Sequence, residues 1–219
     1  MTPDSVLLSK FDLCLVPHHD QPPKRDNIFV TIGPPGLPPQ KRQSDSHGGL
    51  ILVGGRDEKS HVWRTAELIV QIETLLKRQA DIKWTITSSP RTPGECENRL
   101  QAVADLHSNV TFYRAQDTQA GWVEAAYAAN AMAWVTADSI SMIYEALTAG
   151  CRVGILPVKW KHANNKFQRS IDYLVHQKLI MTYAQWLDNL ASTVRPAALD
   201  EASRCAEEII RRWWPDRLP

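Results

Sequence analysis

Leu50-Ile51-Leu52-Val53-Gly54-Gly55 is a continuous apolar run that ends at two glycines, and it decides the fold. An uninterrupted apolar run of this length is typical of a strand that is buried on both faces of a sheet. Four more short apolar runs follow, separated by stretches with helical periodicity, at 82–86, 110–113, 132–135 and 152–156. Short strands that alternate with helices predict a parallel sheet covered on both faces. The predicted fold class is therefore α/β: a Rossmann-like, doubly wound parallel sheet.

The predicted helices are recognised by apolar residues at three- and four-residue steps. The clearest stripe consists of Val62, Ala66, Ile69, Ile72 and Leu76. Further helices are predicted at 95–106, 122–130, 140–149, 164–176, 184–192 and 199–214. Gly150 follows one of them in the place where a glycine commonly ends a helix.

The first 47 residues have a different pattern. Two short strands are predicted at 11–16 and 28–32, and two strands alone are too little for an independent core. The proline-rich stretch 33–39 and the polar run 40–47 are typical of a linker. We therefore predict that 1–47 contain a remnant of an N-terminal domain plus a proline-rich linker. Residues 48–219 are predicted to form the Rossmann-like domain.

Composition excludes several classes of protein. Of 219 residues, 43% are hydrophobic, which is enough for a core, and the net charge of +1 gives no electrostatic basis for a nucleic-acid partner. The four cysteines are far apart and include no C-x-x-C pair, so no zinc site is predicted, and a chain this long and core-rich needs no disulfide framework. No apolar run reaches about 18 residues, and no signal peptide is visible. We expect a cytoplasmic protein without a metal or cofactor.

Ligands of doubly wound sheets bind at the carboxyl ends of the strands, so the loops there are the candidate site. Gly54 and Gly55 allow the backbone to approach a phosphate, with Arg56 adding charge, although such a pair is often only a turn. After the second strand, Ser89 and Arg91 suit an anion, because a guanidinium binds phosphate through two hydrogen bonds. A capped helix start with a surface arginine fits that loop equally well.

The most informative loop is Val135-Thr136-Ala137-Asp138-Ser139-Ile140-Ser141-Met142, where a strand ends and a helix begins. Ser139 or Ser141 could cap that helix while its free N–H groups face a diphosphate. Glu145 lies one turn into the helix, where a carboxylate could accept hydrogen bonds from a ribose diol. The alternative is an ordinary capped helix with Glu145 on a solvated face.

These loops, together with Phe11-Asp12-Leu13-Cys14-Leu15-Val16-Pro17-His18-His19-Asp20, resemble the mitochondrial-fission "elongate mitochondria" family. The likeness runs from about Phe11 to Leu156. Bacterial members of the family are similar to outer-core glycosyltransferases of the two-domain GT-B type, and some were labelled sugar-nucleotide epimerases. The resemblance implies the C-terminal, donor-binding half of such an enzyme, in lipopolysaccharide outer-core or related glycan synthesis. The alternatives are an epimerase on the same fold and a non-catalytic adaptor of the mitochondrial-fission type.

The resemblance also implies roles for individual residues. Gly54 and Gly55 would line the donor cleft, Arg91 would approach the diphosphate, Ser139 and Ser141 would offer the N–H groups of the helix start, and Glu145 would hold the ribose. Arg56, Ser89 and Asp138 stand in the same loops and complete the predicted donor-binding residues of the nucleotide-sugar-binding domain, 48–219. The expected partners are a nucleotide-sugar donor and an unidentified glycan acceptor, with a protein partner and peripheral membrane association implied by the adaptor alternative. Family members have a complete N-terminal domain, so the isolated chain is expected to be inactive, and no catalytic residue is assigned.

Overall fold

The computed structural model describes residues 5–36, 44–162, 165–189 and 198–217. Its strands are β1 (Cys14–Pro17), β2 (Ile28–Thr31), β3 (Asp45–Leu52), β4 (His61–Val62), β5 (Lys83–Thr87), β6 (Val110–Tyr113), β7 (Asn130–Thr136), β8 (Arg152–Leu156), β9 (Lys159–Trp160) and β10 (Ile180–Thr182). Six of them form a wholly parallel central sheet in the order β10-β8-β7-β3-β5-β6.

This strand order confirms the doubly wound fold. The chain builds outward from β3 through β5 to β6, then returns to the other side of β3 and continues through β7 and β8 to β10. The order therefore reverses between β3 and β7. The five predicted strands are all present in this sheet, and the sixth strand, β10, was not predicted: it has only three residues and adds an edge next to β8.

The helices are α1 (Ser5–Leu8), α2 (Thr65–Arg78), α3 (Gly94–Leu106), α4 (Trp122–Ala129), α5 (Ile140–Thr148), α6 (Lys166–His176), α7 (Tyr183–Leu187) and α8 (Glu201–Trp213). Each predicted helix is present, with ends that differ by a few residues. Val62 was wrongly assigned to the α2 stripe and lies in β4. The predicted helical residues 164 and 190–192 lie outside the described residues. Gly150 follows α5 with a φ of 73°, as expected of a glycine at a helix end.

Two hydrophobic cores cover the two faces of the sheet. Leu50 and Leu52 point into a core shared with α4, α5 and α6. Ile51 and Val53 point into the opposite core, shared with α2, α3 and α7. All four side chains are fully buried. The run is continuously apolar because alternate residues of a strand face opposite sides, and here both sides are covered by helices.

The N-terminal segment forms a small unit of its own. β1 and β2 pair in parallel over a core of Leu8, Cys14, Val16 and Ile28. It is attached to the main sheet through α8 and α6: the Ile32 N–H donates to Glu201 Oε2 at 2.9 Å, and the His18 ring stacks on Tyr173 at 3.9 Å. β3 begins at Asp45, so the predicted linker ends earlier than residue 47. Residues 37–43, the end of the proline-rich stretch and the start of the polar run, lie outside the described residues.

A short antiparallel pair completes the carboxyl edge of the sheet. β4 follows β3 and pairs with β9, which follows β8. Because β7 lies between β3 and β8, the loop after β3 must cross the end of β7.

Within the described ranges, no helix is both long and apolar enough to cross a bilayer.

Candidate functional site

The candidate site lies where the strand order reverses. In doubly wound sheets, ligands bind in the crevice outside the carboxyl ends of the strands at such a point. Here the loops that follow β3, β5 and β7 meet. The structure therefore brings together three of the stretches that the sequence singled out, around Gly54–Gly55, Ser89–Thr92 and Thr136–Ser139.

Buried hydrogen bonds join the three loops. The Gly54 N–H donates to Thr136 Oγ1 at 2.8 Å, and the Gly55 N–H donates to Asp138 Oδ2 at 3.0 Å. Arg91 Nη2 approaches the same carboxylate oxygen at 3.3 Å. Asp138 is thus the point at which the loops after β3, β5 and β7 are held together.

The two glycines are required by the packing of these loops. A Cβ on Gly54 would lie 2.2 Å from Asp138 Oδ2, and a Cβ on Gly55 would lie 2.1 Å from the carbonyl carbon and oxygen of Arg91. The space that a side chain would need is therefore occupied by the protein itself. Of the two interpretations of the Gly54–Gly55 pair, this favours a tight turn packed between loops. It argues against direct approach of the glycine backbone to a phosphate.

The loop after β5 is stabilised by its own hydroxyls. The Ser89 N–H donates to Thr92 Oγ1 at 2.8 Å, and Thr92 Oγ1 lies 3.1 Å from the Val53 carbonyl oxygen. Ser89 is buried, and its Oγ accepts from the Arg91 N–H at 3.3 Å. Thr92 and Thr136 were not among the predicted site residues, although Thr92 directly follows Arg91 and Thr136 stands in the quoted loop after β7. Their buried hydroxyls form hydrogen bonds that hold the loops of the site together.

Charge at the site is unevenly exposed. The Asp138 side chain is 1% exposed, whereas that of Arg91 is 47% exposed. A guanidinium carries five N–H donors, and the contact with Asp138 engages only part of them. Arg91 is therefore fixed at one end by a buried carboxylate and still presents donors to solvent. The Arg56 side chain is also exposed, and the backbone N–H of Arg56 donates to the Arg91 carbonyl oxygen at 3.1 Å.

The start of α5 adds backbone donors. Ser139 occupies the N-cap position, but its side chain makes no capping hydrogen bond, so the prediction of a serine cap was wrong. Its N–H donates to the Thr136 carbonyl oxygen at 3.0 Å. The next N–H groups, those of Ile140, Ser141 and Met142, have no carbonyl partner within the helix. The Ser141 side chain is exposed.

Glu145 lies apart from these loops. A rise of 1.5 Å per residue places it about 9 Å from Ser139 along α5. The Tyr127 hydroxyl, on α4, lies 3.3 Å from Glu145 Oε2 and 3.2 Å from the Met142 carbonyl oxygen. Glu145 lines a cavity of about 160 Å³ together with Pro34, Gly36, Glu124, Tyr127, Tyr144, Thr148 and Ala149.

The cavity shifts the protonation of its polar groups. Burial raises the pKa of Glu145, and the charge of Glu124 adds to this, while the Tyr127 hydrogen bond opposes it. Burial and the Glu145 charge raise the pKa of Tyr127. Sequence reasoning missed Glu124 and Tyr127; the only signal was their three-residue spacing, which places them on one face of α4.

The described residues contain no group of three or more His, Cys, Asp or Glu side chains that could hold a metal ion. Cys14, Cys96, Cys151 and Cys205 are all buried and form no disulfide. The described part of the carboxyl edge thus presents backbone N–H donors, the half-exposed Arg91 guanidinium with the carboxylate that fixes it, and the exposed Arg56.

Comparison with known proteins gives a family and a set of similar folds. The sequence profile described as "Mitochondrial fission ELM1" matches residues 1–213. No curated protein matches the sequence. Similar solved structures include a Listeria monocytogenes protein described as a UDP-N-acetylglucosamine 2-epimerase, with 12% identity and a TM-score of 0.47 over 78% of this chain and 46% of that one.

Two further structures have the same level of similarity. A mutant of the Thermobaculum terrenum O-GlcNAc transferase is 14% identical, with a TM-score of 0.47 over 94% of this chain and 45% of that one. S. aureus MnaA, solved with UDP, is 13% identical, with a TM-score of 0.43 over 90% of this chain and 56% of that one. The chain thus spans about half the length of these proteins.

Proposed function

The chain belongs to the mitochondrial fission ELM1 family, and we propose that it is the donor-binding half of a GT-B-type glycosyltransferase. The observation that carries the proposal is the meeting of three loops at the reversal of strand order, with the Arg91 guanidinium and the start of α5 on the same crevice. The ligand is a nucleotide sugar, with its diphosphate at the first turn of α5.

An anion is favoured there by two independent features. The first-turn N–H groups of α5 carry the partial positive charge of the helix, which attracts phosphate. The Arg91 guanidinium adds a full charge, and its contact with Asp138 holds it in place before the ligand arrives. A preset donor needs less reorganisation on binding than a freely rotating side chain.

The chemistry that follows is displacement at the anomeric carbon of the sugar. An acceptor hydroxyl attacks that carbon, the bond to the diphosphate oxygen breaks, and the hydroxyl proton passes to water or to a base on the acceptor side of the cleft. Negative charge then develops on the leaving nucleoside diphosphate, where the α5 N–H groups and Arg91 stabilise it. Glu145 holds the ribose diol further along α5, with the Tyr127 hydroxyl orienting its carboxylate.

Thermal stabilisation by nucleotides tests the proposal directly. A ligand that binds the folded state at a hundred times its dissociation constant adds about 2.7 kcal/mol to the free energy of unfolding. Nucleoside diphosphates should therefore raise the melting temperature more than the corresponding nucleosides. Equal shifts for a nucleoside and its diphosphate would contradict an anion site at α5.

A further inference from the structure

We propose that the cavity beside Glu145 receives the base of the nucleotide and selects guanine through the carboxylate of Glu124. The inference rests on the proposed function, because it takes the diphosphate to lie at the start of α5. It goes further by naming the nucleobase, and it assigns a role to Glu124, which lies outside the three loops.

The position of the cavity fits a nucleotide that runs along α5. Counted from Ser139, Glu145 lies about 9 Å and Thr148 about 13.5 Å along the helix axis. Glu145 and Thr148 both line the cavity, and Glu124 of α4 lines it as well. A ligand with its phosphates at the first turn would thus carry its ribose to Glu145 and its base to Thr148 and Glu124.

The size and walls of the cavity suit one planar ring system. Its volume of about 160 Å³ is close to that of cavities that hold a benzene molecule. Tyr127 and Tyr144 on the helices and Pro34 and Gly36 on the segment after β2 give it mainly apolar walls. Base surfaces are apolar above and below the ring, so such walls favour a base over a hydrated sugar.

Among the described residues that line the cavity, Glu124 and Glu145 carry a negative charge and none is a Lys or Arg. Glu124 is close enough to Glu145 for its charge to raise the pKa of the Glu145 carboxyl. Two neighbouring carboxylates repel each other unless hydrogen-bond donors separate them. A ligand that supplies hydrogen-bond donors to both carboxylates would relieve this repulsion. In a nucleotide, the ribose hydroxyls would donate to Glu145 and the base would donate to Glu124.

The edges of the four common bases differ in what they offer to a carboxylate. Guanine presents two adjacent donors, N1–H and the exocyclic amino group, which match the two oxygens of one carboxylate. Adenine and cytosine each place a ring-nitrogen acceptor next to their amino group. Uracil flanks its single N–H with two carbonyl oxygens. A carboxylate at the base position therefore favours guanine, as matched pairs of hydrogen bonds do in base recognition elsewhere.

The experiment is calorimetric titration of GDP, ADP, CDP and UDP into the wild-type chain, Glu124→Gln and Glu207→Gln. Glu207 is an exposed residue of α8 and provides the matched control. We expect wild type and Glu207→Gln to bind GDP about tenfold more tightly than the other three, since a good bidentate pair discriminates at that level. Glu124→Gln should bind all four with similar affinity.

The outcomes separate this inference from the proposed function. If all four diphosphates bind wild type equally well, the diphosphate site stands and the guanine preference is overturned. If GDP is preferred and Glu124→Gln keeps that preference, Glu124 is not the selecting group. If none of the four binds, the proposed function itself is contradicted.

Discussion

The guanidinium of Arg91 lies 3.3 Å from the buried carboxylate of Asp138, and this contact ties the loop after β5 to the loop after β7. The same carboxylate oxygen accepts the Gly55 N–H of the loop after β3. Since Asp138 is almost fully buried, its charge must be compensated locally. Arg91 supplies that compensation, and its exposed end presents N–H donors to solvent.

Replacement of Arg91 by Gln should weaken nucleoside diphosphate binding, and it should also lower the stability of the fold, because the buried Asp138 carboxylate loses its cation. A hydrogen bond to a charged group contributes about 1.5–3 kcal/mol, so the dissociation constant should rise by about one to two orders of magnitude. Titration of a diphosphate into the variant measures this loss. Arg99→Gln, at an exposed position on α3, serves as the control and should bind as wild type does. An Arg91→Gln variant that retains full affinity would remove Arg91 from the site.

Replacement of Gly55 by Ala should destabilise the protein. The new Cβ would meet the backbone of Arg91 at 2.1 Å, and a backbone contact cannot be relieved by rotation of a side chain. Overpacking of this kind costs about 1–3 kcal/mol of unfolding free energy. Denaturant unfolding of the variant and wild type measures the difference.

Gly94 provides the matched control for that experiment. A Cβ at Gly94, the first residue of α3, would have no heavy atom within 4 Å. Gly94→Ala should therefore leave stability unchanged or raise it by a few tenths of a kcal/mol, because alanine loses less backbone entropy on folding. Equal effects at the two positions would show that the clash at Gly55 is relieved by movement of the loops.

The fold could be predicted from sequence because its determinants are local. The run Leu50–Val53 is apolar throughout since both faces of β3 are covered, and that pattern is visible without a structure. β10 could not be predicted in this way: three residues are too few to show a periodicity, and its pairing depends on the position of β8.

The site was predictable only in part, for a related reason. Loops that follow parallel strands emerge at one edge, so the proximity of Arg91 and Asp138 follows from the fold class. The contact between Tyr127 and Glu145 depends on how α4 packs against α5, which no spacing in the sequence specifies. The close approach of Gly55 to the Arg91 backbone is likewise a property of the packed loops.

The attachment of the N-terminal segment should weaken in acid. Burial lowers the pKa of His19, and the charges of Lys166, His18 and Arg169 lower it further, while Asp20 opposes them. In the unfolded chain, His19 takes up a proton near pH 6.5, whereas in the folded chain it does so only at a lower pH. The contribution of neutral His19 to the free energy of unfolding is therefore complete above pH 6.5. It is lost as the pH falls through the lowered pKa of the folded state.

Unfolding free energies measured between pH 7.5 and pH 5 in wild type and His19→Asn should reveal this contribution. The wild type should lose more stability over the range than the variant does. His47→Asn, at a residue whose side chain is 64% exposed, controls for the removal of a histidine. A variant that follows the wild-type pH profile would place the acid sensitivity elsewhere.

Glu145→Gln should weaken nucleotide binding and leave the fold nearly unchanged. The amide keeps the shape of the side chain and one acceptor oxygen, so the loss should lie at the lower end of the 1.5–3 kcal/mol range for a charged hydrogen bond, about tenfold in affinity. A surface helix residue without a ligand would instead change stability by no more than about 0.5 kcal/mol and binding not at all.

Titration of a nucleoside diphosphate and its 2′,3′-dideoxy analogue into both proteins separates these cases. If Glu145 holds the ribose diol, wild type discriminates between the two ligands and the variant loses most of that discrimination. Equal discrimination in both proteins would mean that the Tyr127–Glu145 pair only joins α4 to α5.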